Sequence, residues 1–122
     1  MTSRTTLRIA LVGAAAAVAV ALPLTAQAAT PILKAEVGPG FTITLKDGKG
    51  AAVKSLKAGA YTIKVADKSN IHDFRLTGPG VNKDSGVGPT GSSTWKVTFK
   101  QGVYKFVCTP HATIMKGSFK VS

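Results

Sequence analysis

The sequence predicts an all-β fold, a sandwich or small barrel, behind an N-terminal signal-peptide helix. Three observations predict it. From Ile32 onward apolar and polar residues alternate with a period of two, the pattern of strands with one dry and one wet face. Gly- and Pro-containing clusters interrupt the alternation at short intervals, where backbone turns need a permitted positive φ or a fixed one. Beyond the leader no stretch repeats with a helical period, apart from a candidate short turn at residues 51–55.

The leader comes first. Arg4 and Arg8 precede an apolar, alanine-rich run over residues 9–24, and Ala26-Gln27-Ala28 follows in the A-x-A pattern. That layout is a secretory signal peptide, with cleavage expected after Ala28. The run of 16 residues is shorter than the roughly 20 needed to span a bilayer. An uncleaved anchor is the alternative. Residues 1–28 are therefore assigned to a signal peptide and residues 29–122 to one domain, exported to the periplasm or the exterior.

Within the domain, Phe41, Ile43 and Leu45 alternate with Thr42, Thr44 and Lys46. Tyr61, Ile63 and Val65 form a second series, Trp95, Val97 and Phe99 a third, and Phe119 and Val121 a last one. Gly38-Pro39-Gly40, Asp47-Gly48, Gly78-Pro79-Gly80 and Gln101-Gly102 are among the separators. Residues 77–93 are polar and rich in Gly and Ser, and read as a long connection.

Chemistry concentrates in residues 104–115, where Cys108, His111 and Met115 stand in the spacing Cys-x2-His-x3-Met. Upstream, His72 lies in Asn70-Ile71-His72-Asp73-Phe74. The chain holds one Cys, two His and, besides Met1, one Met. A thiolate, two imidazoles and a thioether are the donors of a blue-copper centre. Tyr104, Phe106 and Cys108 share the inward face of one strand, and His72, Phe74 and Leu76 that of another. If these two strands run antiparallel as neighbours, His72 near the start of one meets Cys108 at the end of the other. His111 and Met115 then come from the loop that leaves that pole.

Residues 104–115 resemble the copper loop of the cupredoxins, in particular the plastocyanin, pseudoazurin and amicyanin group, and residues 70–74 resemble that group's upstream His strand. Plastocyanin and pseudoazurin place one more residue between loop His and Met, and amicyanin one fewer. The resemblance implies a Greek-key β-sandwich holding one copper ion on His72, Cys108, His111 and Met115, which carries single electrons. It implies that His111 reaches the surface within an apolar patch, here Pro110, Ala112, Ile114 and Pro39. Asp73 stands where plastocyanin-like proteins have an Asn that fixes the Cys loop. It either accepts a hydrogen bond from that loop or faces outward beside Arg75. Thr109 either bonds across the loop through its hydroxyl or fills a turn.

Composition limits the remaining readings. A lone Cys in an exported chain forms no internal disulfide, and metal ligation explains its presence. Without Arg4 and Arg8 the domain has 14 Lys and Arg against 5 Asp and Glu, about +9. Such a field favours acidic partners. The lysines are scattered singly, so no nucleic-acid patch is indicated. The expected partner is a redox protein with an acidic docking face, met by a monomer without stable membrane insertion. No Ser-His-Asp or paired-carboxylate set suggests an enzyme. Two alternatives stay open: a copper storage or delivery protein with the same donors, and a metal-free interaction module.

Overall fold

A computed structural model describes residues 12–23 and 29–122 of the chain. Residues 12–23 take no regular secondary structure, so the expected signal-peptide helix is not seen over the described part of the leader. The rest of the leader, including the expected cleavage site at Ala28, lies outside the described residues. No helix among the described residues is long and apolar enough to cross a membrane.

Nine strands follow: β1 (Ile32–Val37), β2 (Ile43–Lys46), β3 (Ser55–Leu56), β4 (Gly59–Asp67), β5 (Arg75–Gly78), β6 (Val81–Asp84), β7 (Gly91–Phe99), β8 (Gly102–Val107) and β9 (Lys116–Val121). They form two sheets, ordered β2-β1-β4-β7 and β3-β9-β8-β5-β6. β1 lies parallel to β4, and β3 to β9; the other pairings are antiparallel. Chain segments pass repeatedly from one sheet to the other, as a Greek-key sandwich requires. The all-β expectation therefore holds.

The two-residue period decides which face is dry. On β1, Leu33, Ala35 and Val37 are buried and their neighbours exposed; on β4, Tyr61, Ile63 and Val65 point the same way. The opposing sheet contributes Leu76, Tyr104, Phe106, Phe119 and Val121. Phe106 stacks on Phe74 with ring centres 5.5 Å apart, and Tyr104 stacks on Phe119 at 5.4 Å. The Tyr104 hydroxyl donates to the Pro79 carbonyl at 2.9 Å and accepts the Lys100 N–H at 2.9 Å, so its burial leaves no polar atom unmatched.

Three expectations need correction. Residues 51–55 form no helical turn: Ala52 bridges to Lys46, and Ser55 begins β3 beside Lys120. The connection over residues 77–93 is largely strand, because Val81 is buried and sets β6 against β5 as a hairpin. Phe41 is not the first inward residue of its strand. β2 begins at Ile43, and Phe41 is 58% exposed.

Candidate metal centre

β5 and β8 are antiparallel neighbours, with Arg75 opposite Val107. The end of β8 and the approach to β5 therefore lie side by side, as the alternation predicted. His72 is not within β5, which begins three residues later. His72, Asp73 and Phe74 are all fully buried, which a strand with alternating faces cannot provide. Side chains satisfy the backbone of this segment instead. The Phe74 N–H donates to Ser85 Oγ at 2.8 Å, and the Ser85 hydroxyl donates to Asp67 Oδ2 at 3.1 Å. Asp67 Oδ1 accepts the Ser69 N–H at 3.2 Å, and Ser69 Oγ accepts the Ile71 N–H at 3.3 Å.

Cys108 follows β8 directly and keeps an extended backbone. Thr109–His111 then form one 3-10 turn with Pro110 inside it. The loop closes on itself: the Cys108 N–H donates to the Met115 carbonyl at 3.0 Å, and the His111 carbonyl accepts the Met115 N–H at 2.9 Å. Met115 is 1% exposed at this neck. Asp73 ties the loop to the His72 segment. One of its oxygens accepts the Thr109 N–H, and the other accepts the Thr109 hydroxyl at 2.6 Å. Both open questions are thereby answered, since Asp73 points inward and the Thr109 hydroxyl bonds to it.

These constraints bring three donor atoms together. His72 Nδ1 and His111 Nδ1 are 3.1 Å apart, and Cys108 Sγ lies 3.6 Å from the first and 3.5 Å from the second. A circle through three atoms at these separations has a radius of about 2.0 Å. One ion at its centre would sit at ordinary metal–ligand distance, about 2.0–2.1 Å for nitrogen and 2.3 Å for sulfur at zinc. Two neutral imidazoles and a thiolate suit copper, so the residues present fit that ion.

The surroundings are uneven. His72 and Cys108 are fully buried, whereas His111 is half-exposed. Phe41 stands edge-on to both imidazoles, with ring centres 5.2 Å from His72 and 5.0 Å from His111. Gly38 lets its loop approach: its φ is +75°, and a Cβ there would lie 2.9 Å from Ser69 Cβ and 3.4 Å from His72 Cδ2. His72 Nε2 is buried without a hydrogen-bond partner. A ligating His usually donates its second N–H to an acceptor. Here packing by Gly38 and Phe41 orients the ring instead.

Burial is the largest influence on the Cys108 thiol and pushes its pKa up, with the nearby Asp73 charge adding to the effect against the Asp73 and His111 N–H groups. Metal binding must therefore displace a firmly held proton. Burial alone would also raise Asp73, but the Thr109 hydroxyl and N–H outweigh it and hold that carboxyl below the usual range. Burial raises Asp84, and the adjoining Asp73 carboxylate raises it further.

Residues 32–122 match the family model of copper binding proteins, plastocyanin/azurin family. The chain belongs to that family. The cupredoxin fold is also shared with solved structures. Reduced rusticyanin matches at a TM-score of 0.58 and 21% identity, over 80% of this chain and 82% of that one. Rusticyanin from Thiobacillus ferrooxidans matches at 0.52 and 21%, over 75% and 76%. A chain of a heme-copper terminal oxidase dimer matches at 0.52 and 22%, over 75% and 63%. No curated protein sequence matches the chain.

For a cupredoxin, the donor types and spacing were the legible part of the site. Phe41 was missed because it fits the period-two series of Ile43 and Leu45. Its place directly after Gly38-Pro39-Gly40 was the available signal for a loop residue. Asp67, Ser69, Ser85 and Asp84 gave no signal, because polar residues beside turns are ordinary.

Proposed function

We propose that the protein is an exported type 1 copper protein that carries single electrons between redox partners, with His72, Cys108, His111 and Met115 as ligands. Residues 1–28 serve as its signal peptide and residues 29–122 as the working domain. One observation carries the reading: Nδ1, Nδ1 and Sγ, from segments 36 residues apart in sequence, lie on a circle of about 2.0 Å radius.

Copper bound there would supply a Cu(I)/Cu(II) couple. The chain's own part is to hold the donors still. Cys108 gives the thiolate on a loop closed at its neck by Met115, and Asp73 pins that loop to His72. Met115, buried at the neck of the loop, would supply a fourth, weak thioether donor that tunes the copper potential. His111, half-exposed between Phe41 and the apolar Pro110, Ala112 and Ile114, is the surface end through which an electron passes. Donors fixed before the metal arrives need little rearrangement with oxidation state. A basic domain of about +9 draws acidic partners toward it.

Adding Cu(II) to the purified protein tests this reading. We expect an intense blue charge-transfer band that Cys108→Ser abolishes. A colourless complex that exchanges its metal readily would favour storage or delivery.

A further inference from the structure

The solvent face of the first sheet carries a row of like charges. Lys46, Lys34 and Lys64 stand side by side on β2, β1 and β4, in register with one another. Strands about 4.8 Å apart place the three on about 10 Å of surface. Like charges directly opposite one another destabilise a sheet, so the row has no explanation in sheet folding. Glu36 shares this face of β1, two residues on, and its carboxylate meets Lys68 at 3.1 Å, the one salt bridge among the described residues. The lysines open onto a groove of about 670 Å3 that Glu36, Thr44, Ser92 and Thr94 also line.

The geometry points to this row as the docking surface for a carboxylate-rich face of a protein partner. The groove is open, and its lysines, Ser92, Ser93 and Thr94 are exposed, so a lone phosphate entering it stays hydrated. Ammonium groups on flexible stems suit scattered carboxylates, without the planar fork that favours phosphate recognition. No aromatic side chain lines the groove, so nucleic-acid bases find nothing to stack on. From Lys34, β1 runs four residues to Gly38 against the His72 ring. At 3.3 Å per residue that is about 13 Å. A protein face burying about 800 Å2 on each side is wide enough to rest on the row and still reach the end of the sandwich that holds His111 and Phe41.

The inference deepens the electron-carrier reading by giving the partner's chemistry, and its test uses no electron transfer. Purified protein is titrated with a hexaglutamate peptide while backbone amide resonances are followed by NMR. We expect shifts concentrated at residues 34, 46 and 64. Binding falls about tenfold when Lys34→Gln, Lys46→Gln and Lys64→Gln are combined. The combination Lys83→Gln, Lys100→Gln and Lys120→Gln removes the same charge and changes binding by less than about twofold. The copper-induced absorption of both variants stays that of the parent, so a failure here is distinct from a failure of the electron-carrier reading. Equal weakening by both combinations overturns the row as a site. The same shifts with inorganic phosphate, or tighter binding of a single-stranded oligonucleotide of equal charge, overturn the acidic-protein assignment.

Discussion

Asp73 is a buried carboxylate with two donors from a single residue, Thr109. It joins the segment that carries His72 to the loop that carries Cys108 and His111. Removing it deletes two hydrogen bonds to a charged acceptor from Thr109, which is itself exposed. Asp73→Ala is expected to cost the metal-free protein about 1–3 kcal/mol, read as a lower urea midpoint at unchanged slope. Cys108 makes stability depend on pH. Its folded-state pKa is raised by burial, whereas an unfolded thiol titrates near about 8.5. Above that pH the unfolded chain loses a proton that the folded chain retains, so stability falls as pH rises. Urea titrations of the metal-free protein between neutral pH and about pH 10 should show this decline, and Cys108→Ser should remove the Cys108 contribution. The meeting of His72, Cys108 and His111 was legible because so few Cys and His occur in the chain. The groups that position them were not, because Asp67, Ser69 and Ser85 act through backbone contacts that only the folded chain creates.

The element that matters most is the β8–loop–β9 hairpin, which delivers Cys108 at the end of one strand and resumes at Lys116 in the next. Its pairing runs from Gly102 opposite Val121 to Val107 opposite Lys116. Gly117 lies opposite Phe106, and a Cβ added there would overlap the Phe106 ring. That ring is stacked on Phe74 and has little freedom to withdraw. Gly117→Ala should therefore destabilise the protein by about 1–3 kcal/mol through overpacking, measurable by denaturant unfolding. Period two revealed β2 from Ile43, β4, β7, β8 and β9, because each turns one face toward the core. It failed at residues 72–74, where consecutive side chains are all buried. It also misled at Phe41, whose ring leaves the strand series to cover the imidazoles. β6 was hidden because Val81 alone marks its buried side.

On the scale of the whole molecule, two sheets close over one aromatic core and leave their functional groups at one end. The apolar rim there comprises Phe41, Ile71 and Ile114, each more than half exposed, around the half-exposed His111. The basic row starts about 13 Å along β1 from the His72 end, so one partner face can engage the row and the rim together. The overall class was legible in the alternation, and the meeting of distant donors in the phase of two strands. The strand pairings were not, since register depends on contacts between segments far apart in sequence. The central claim is that one copper ion is held by the two imidazoles and the thiolate. X-ray absorption at the copper edge of the loaded protein tests it most directly. The account predicts two nitrogens and one sulfur within about 2.0–2.3 Å of the metal, with the sulfur lost in Cys108→Ser. A shell of nitrogen and oxygen without a short sulfur contact in the parent protein would contradict it.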